Sequence, residues 1–400
     1  MLDAYIYDGL RSPIGSSGGT LAAMRPDDLL AGVIRPLLAR HTLAATDIDD
    51  VIIGCANQAG EDSRCVARHA ALCAGLPVEV PGTVIQRNCG SGLGAMVSAA
   101  HALTSGEARV ILSGGVESMS RAPFVIAKTA RPYARQMEWY DSAVGARFPN
   151  PKLEAEFGSD SMPQTADNMA QDHGISREQA DAFALRSQHG WARAQANGVF
   201  ANEITPITLP GGRGRPDTVI DTDEHPRPQS DAETLAKLRP LFPGGVTTVG
   251  NASGLNDGAV ALIMGGQSAQ TCIGAAPIAR VLASAVAGVA PRIMGFGPVP
   301  ASHKALARAG LSLSDMSVIE INEAFSAQVL GCLAGLGLAF DDERVNPNGG
   351  AIAMGHPLGA SGPRLVLNAI HETRRRGGKY ALVSMCIGMG QGIALVLEVV

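Results

Sequence analysis

Two stretches of this chain follow one short plan, and that repetition limits the folds open to it. Residues 89–113 run Cys-Gly-Ser-Gly-Leu-Gly-Ala-Met, a helical stretch, then Ala108-Arg109-Val110-Ile111-Leu112-Ser113. Residues 359–384 run Gly-Ala-Ser-Gly-Pro-Arg-Leu-Val, a helical stretch, then Tyr380-Ala381-Leu382-Val383-Ser384. Each is a glycine-rich helix start, a helix, a buried strand and a glycine turn. Many α/β proteins reuse such a unit; its recurrence here favours two similar halves with different material between them.

The surroundings of both copies fit an α/β sheet with helices on both faces. Asp50 to Cys55 reads as a strand, Ala67 to Ala74 as a helix, Thr83 to Ile85 as a short strand and Leu93 to Leu103 as a helix. Arg109 to Ser113 reads as a third buried strand, stopped by Gly114-Gly115. Tyr5-Ile6-Tyr7 opens a first strand and the terminal LVLEVV reads as the last. From about Met119 to Gly244 prolines and polar residues rise and strand signals fade. Within it Ser176 to Asn197 reads as one long helix opened by a capping box, Ser176 with Gln179. The boundaries expected are a first half at 1–119 plus 245–271, an insertion at 120–244 and a second half at 272–400.

Composition narrows the function classes. A formal charge of −5 forces no basic face and argues against nucleic-acid binding. No apolar run reaches membrane-spanning length, and the first residues lack the basic-then-apolar order of a secretory signal. The seven cysteines are odd in number and never form CxxC, which suits neither a disulfide framework nor a zinc site. A reduced, cytoplasmic compartment is expected.

Four places could carry chemistry. Cys89 lies between a strand end and a helix start, where the helix dipole and free N–H groups would favour thiolate; a small buried cysteine at an α/β turn would look the same. His356, between Gly355 and Pro357, is either a base held on a rigid turn or a capping histidine. Cys386, ahead of Gly388, is a second thiol for proton transfer or a structural cysteine. Asn322 and Glu323 end an apolar run, so both need hydrogen bonds; Asn322 could equally cap a helix.

Taken together, CGSG (89–92), GGVESMSRAPF (114–124), GNASGLNDGA (250–259), NEAF (322–325), GGAIAMGHPLGASG (349–362) and MCIGMGQG (385–392) resemble the thiolase family in order and spacing. Residues 54–62, 160–163 and 223–225 are similar to its 3-oxoadipyl-CoA branch. The resemblance implies two βαβαβαββ halves in an αβαβα layering, with a loop domain that crosses the active site and helps build a homotetramer. It implies Cys89 as the acylated nucleophile, His356 as its activator and Cys386 as acid and base. Asn322 would hold a water beside His356, and the Cys89 and Gly388 N–H groups would cradle the oxyanion. Ser253, Met162, Ala324 and Phe325 fall where the family holds substrate and CoA. CoA is then a co-substrate, with no permanent cofactor, metal, nucleic acid or membrane partner.

Three positions depart from the family pattern. Gln86-Arg87-Asn88 stands where many members carry Asn-Arg-Leu or Asn-Arg-Gln, Met389 replaces a smaller residue, and Pro363 replaces alanine, in what reads as a tolerant first helical turn. The first two could reshape the acyl pocket. Reading a terminal carboxylate would require a cation or several N–H donors, and Arg131, Arg135 and Arg147 are the insertion's candidates. Rival expectations are an acetoacetyl-CoA or general 3-oxoacyl-CoA thiolase, and a non-catalytic acyl-binding relative, which would typically have lost the nucleophile or the histidine.

Overall fold

The computed structural model describes residues 2–129, 131–212 and 214–400. Its main sheet places nine strands side by side in the order Met316–Ile321, Tyr380–Ile387, Gln391–Val399, Ala279–Gly288, Tyr5–Arg11, Asn256–Gly265, Val110–Ser118, Asp50–Gly54 and Thr83–Ile85. The short Gly15–Ser16 strand pairs beside Asn256–Gly265. The first four strands come from the C-terminal part of the chain and the last five from before residue 266. The two groups join along a short antiparallel edge, with Tyr5 opposite Arg280 and Ile6 opposite Ala279.

Each group has the same pairing pattern. In the first, Thr83–Ile85, Asp50–Gly54 and Val110–Ser118 are parallel, and Asn256–Gly265 and Tyr5–Arg11 complete it antiparallel. In the second, Met316–Ile321 runs parallel to Tyr380–Ile387, followed by two antiparallel neighbours. A lone parallel bridge from Ile319 to Val345 stands where Thr83–Ile85 stands in the first group. The repeat visible in the sequence is thus a repeat of topology.

Burial explains the layering. Strands covered on both faces carry unbroken apolar runs rather than alternation. Ile111 faces one core and Leu112, its neighbour, faces another. The central core joins Leu93 and Met96 of helix Ser91–Ser105 to Leu365 and Ile370 of helix Leu358–Arg375, between strands of both halves. Helices Pro26–Ala39 and Val66–Cys73 cover the outer face of the first half. Pro298–Ala309 and Ser326–Leu336 cover that of the second. The order is αβαβα.

Gly114 and Gly115 do not stop their strand, which continues from Val110 to Ser118. They are close-approach residues. A Cβ on Gly114 would lie 2.0 Å from the Val260 carbonyl oxygen, and one on Gly115 would lie 1.8 Å from the Gly359 oxygen. Pro363 also differs from expectation, since it sits in the second turn of Leu358–Arg375 rather than the first. It has no N–H for the carbonyl four residues back. That carbonyl belongs to Gly359, and it faces Gly115 and Gly92 instead.

Residues 120–244 hold two short ribbons, Phe124–Ile126 with Trp139–Asp141 and Ile207–Leu209 with Thr218–Ile220. The strand signal faded because each arm has three residues. The long helix is Arg177–Ala196, with the Ser176/Gln179 capping box formed. Buried Arg11 fastens this segment to the sheet, donating to Glu203 at 2.6 Å and to both Asp223 oxygens at 2.7 and 3.0 Å. Among the described residues no helix is long and apolar enough to cross a membrane.

Gly115→Ala would drive a methyl group into backbone that cannot move aside, and should cost about 3 kcal/mol or more, the upper end for overpacking. Gly288→Ala, whose Cβ would have 3.9 Å of clearance, should change stability by less than about 0.5 kcal/mol. Urea unfolding midpoints of the two variants check this; equal midpoints would show that the Gly115 contact can relax.

Candidate active site

Cys89 follows Asn88, whose backbone is left-handed at φ 45°, and precedes Gly90, which caps helix Ser91–Ser105. A side chain on Gly90 would meet Ile387 at 2.5 Å, so the strand carrying Cys386 ends against this turn. Cys89 is half-buried and packs against the central core. Burial pushes its thiol up to about 11, against the N–H groups of Gly388 and of Cys89 itself, which favour thiolate. Desolvation therefore outweighs the helix-start effect expected from sequence, and the resting group is a neutral thiol.

His356 is held on three sides. Its backbone N–H donates to Asn256 Oδ1 at 2.8 Å. Its Nδ1 lies 2.6 Å from Ser361 Oγ, and Ser361 donates its one hydroxyl hydrogen to the Pro357 carbonyl at 3.0 Å. Ser361 must then accept from Nδ1–H, which leaves the lone pair on Nε2. Consistently, Asn322 Nδ2 donates to His356 Nε2 at 3.3 Å. Burial, assisted by the Arg364 charge, lowers the imidazole to about 3. It is a neutral base of fixed tautomer.

Asn322 does not cap a helix; Phe325 precedes Ser326–Leu336. The Asn322 N–H bonds to the Ser384 carbonyl at 2.9 Å, tying it to the strand of Cys386. Its buried Oδ1 has no partner among the described residues, an acceptor available to a donor that substrate or solvent would bring. Cys386 is 1% exposed and packs with Ala324, Phe325, Met162 and Ala252. Burial raises its thiol well above the usual range, and the nearby Cys89 and Cys332 sulfurs raise it further. Ser253 is brought to the same place by its N–H bond to the Ala324 carbonyl, 2.9 Å, beside an Ala252–Phe325 bridge. A side chain on Gly388 would meet Met162 Sδ at 3.6 Å and Asn88 Nδ2 at 3.8 Å.

Sequence reasoning missed Glu117, Ser361 and Asn256. Glu117 is fully buried and accepts from the N–H groups of Ala56, Asn57 and Gly359, each at 2.9 Å. Burial raises it to about 7 despite those bonds. The available signal was a carboxylate inside an otherwise uncharged buried strand. Cys55, Asp62 and Glu117 come within 4.8 Å of one another, the spacing of metal ligands. Both Glu117 oxygens are already engaged by backbone N–H groups, however, and Cys55 Sγ donates to the Asn57 carbonyl at 2.9 Å. Of the arginines, Arg131 and Arg135 are exposed, and Arg147 donates to Asn57 Oδ1 at 3.2 Å.

Two family models match, "Thiolase, N-terminal domain" over residues 4–268 and "Thiolase, C-terminal domain" over 275–399. The chain belongs to the thiolase family. It is 56% identical over 400 residues, all of both chains, to an Escherichia coli (strain K12) "3-oxoadipyl-CoA/3-oxo-5,6-dehydrosuberyl-CoA thiolase". A "Beta-ketoadipyl-CoA thiolase" of Acinetobacter baylyi is 54% identical, again over the whole of both. Among solved structures, human mitochondrial 3-ketoacyl-CoA thiolase superposes with a TM-score of 0.91 at 40% identity, covering 99% of this chain and 98% of that one. The thiolase fold and the two-half plan implied by the six motifs are therefore correct.

The lowered imidazole makes this thiolase's stability depend on pH. A base whose folded value lies below its unfolded value stays neutral in the folded state while the unfolded chain takes up a proton. His356 should thus subtract stability as pH falls from about 6.5 to about 3, by about 1.4 kcal/mol per pH unit once below 6.5. His356→Gln should remove that one-proton share of the slope. Urea unfolding of both proteins at pH 7.5, 6.5, 5.5 and 4.5 measures it, and identical slopes would show that His356 titrates normally when folded.

Proposed function

We propose that this thiolase cleaves 3-oxoadipyl-CoA with CoA to give succinyl-CoA and acetyl-CoA, and catalyses the reverse Claisen condensation, through an acyl group carried on Cys89. The observation that carries the catalytic reading is the convergence on Gly388 and Asn322. One thiol has the Gly388 N–H on its sulfur, a second buried thiol lies near it, and an imidazole whose basic nitrogen is Nε2 is fixed by Ser361 and by a long 3.3 Å contact from Asn322.

In the cleaving direction His356 takes the Cys89 proton as the sulfur attacks the 3-oxo carbon. The N–H groups of Cys89 and Gly388 stabilise the resulting oxyanion. Its collapse breaks the C2–C3 bond, and the electron pair passes to the thioester as an enolate, beside Asn322 and His356. Cys386 protonates C2, releasing acetyl-CoA and leaving succinyl-Cys89. The Cys386 thiolate then takes the proton of incoming CoA, whose sulfur attacks the acyl carbon; the leaving Cys89 sulfur takes back the proton held by His356, which restores both thiols and the neutral imidazole. Ser253, Met162, Ala324 and Phe325 line the path of the pantetheine arm and acyl group. The scheme needs CoA as co-substrate and no resident cofactor, since the thioester itself acidifies C2.

The substrate reading is supported by full-length relatives named for 3-oxoadipyl-CoA or β-ketoadipyl-CoA. A general 3-oxoacyl-CoA thiolase is the competing reading, favoured by the likeness to human mitochondrial 3-ketoacyl-CoA thiolase. Exposed Phe124, Ile126 and Trp139 on the first ribbon support a homotetramer assembled through residues 120–244, and the reduced cysteines suit the cytoplasm.

Two outcomes are expected. Incubation with acetyl-CoA should place the acetyl group on Cys89 by peptide mass spectrometry, and Cys386→Ala should still acquire it while losing about 10²–10⁴-fold in turnover. Acetylation of Cys386 alone would overturn Cys89 as the acyl carrier, and a loss well under tenfold would overturn the acid–base role of Cys386. For substrate, kcat/KM should favour 3-oxoadipyl-CoA over 3-oxohexanoyl-CoA by about 10-fold or more, the range for a charge-assisted hydrogen bond. Equal activity on both would hand the assignment to the general enzyme.

A further inference from the structure

A carboxylate at the end of a short acyl chain must be met close to the sulfur that carries the acyl group. A succinyl group on Cys89 reaches only a few ångströms, and an unpaired carboxylate there would be costly to desolvate. Exposed Arg131 and Arg135, and Arg147 on Asn57, do not answer this need. Asn88 does. It is the residue next to the nucleophile, and its side chain is oriented: Oδ1 accepts from Gln86 Nε2 at 3.0 Å, which turns Nδ2 toward Gly388. Nδ2 lies 3.5 Å from the Gly388 carbonyl oxygen, at the outer limit of a hydrogen bond. A carboxamide nitrogen carries two hydrogens, so at least one finds no acceptor among the described residues. On the open side of Gly388, Asn88 Nδ2 and Met162 Sδ are the nearest atoms, at 3.8 and 3.6 Å from where a Cβ would stand. The N–H of the same glycine lies on the Cys89 sulfur. A free amide donor, the thioether of Met162 and the nucleophile thus surround one glycine.

We propose that Asn88 is a specificity residue: its Nδ2–H donates to the terminal carboxylate of the acyl group on Cys89, favouring 3-oxoacyl chains that end in a carboxylate over alkyl chains of equal length. The proposal rests on the reading of Cys89 as acyl carrier for 3-oxoadipyl-CoA. The left-handed backbone at φ 45° is one that asparagine, aspartate and glycine tolerate, and this fixes the choice of variants. Asn88→Asp keeps the shape and replaces the donor by an acceptor that repels a carboxylate. Asn88→Gly removes the side chain without backbone strain. The quantity read is the ratio of kcat/KM for 3-oxoadipyl-CoA to that for 3-oxohexanoyl-CoA, with acetylation of Cys89 by acetyl-CoA reporting an intact site. The ratio should fall about 10-fold or more in Asn88→Asp, and in the same direction in Asn88→Gly. An unchanged ratio in either correctly acetylated variant, including a parallel fall on both substrates, overturns the role of Asn88 while leaving the substrate reading intact. A wild-type ratio near one overturns the substrate reading and Asn88 with it.

Discussion

The contact on which the rest of this molecule depends is that of Gly359 with the first half. Its carbonyl lies where a Cβ on Gly115 or Gly92 would stand, 1.8 and 2.2 Å away, and a Cβ on Gly359 would stand 2.4 Å from the Gly54 oxygen. Four glycines meet because any methyl group there would separate the halves. The N–H of Gly359 is not left unpaired, since the buried Glu117 carboxylate accepts it together with those of Ala56 and Asn57. One carboxylate from the first half therefore fixes the first turn of helix Leu358–Arg375 in the second. His356 lies just before that turn and Ser361, which holds its ring, lies within it, so the registration of the halves also positions the imidazole.

This coupling explains which parts were legible in sequence. The repeat, the strands and the family motifs are local patterns, and the glycine-rich helix starts announce themselves wherever they occur. What the close approach does is not local. Gly114-Gly115 reads as a strand stop because the usual reason for paired glycines is a turn; the true reason is a carbonyl from residue 359. Pro363 reads as a first-turn proline, yet it frees that same carbonyl from the helix ladder. Glu117 and Ser361 lie inside the family motifs, yet their roles are not legible there, because the partners of Glu117 lie across the chain and the role of Ser361 hangs on one hydroxyl hydrogen. The short ribbons of residues 120–244 were lost for a different reason, since three-residue strands have too few positions to show a period.

Electrostatics in the site is likewise decided by burial rather than by the helix start. A thiol at a helix N-terminus is expected to ionise readily, and here the local donors do pull that way. Desolvation pulls harder for Cys89, for Cys386 and for His356 alike. All three resting groups are neutral, which suits a site that must bind a neutral thioester and a neutral thiol in turn and hold no permanent charge between them.

Neutrality sets a condition on the first chemical step. Burial raises the Cys89 thiol and lowers the His356 imidazole, so both shifts oppose forming a separated thiolate and imidazolium in the empty site. On the reading proposed above, proton transfer from sulfur is favoured when it accompanies formation of the sulfur–carbon bond, so that negative charge builds on the substrate oxygen as it leaves the sulfur. The donors that would receive it are already in place, held by the same Gly388 that sits between Cys89 and Met162. The site's rigidity, built from glycine contacts that admit no slack, would let those donors act without reorganising at the moment of reaction.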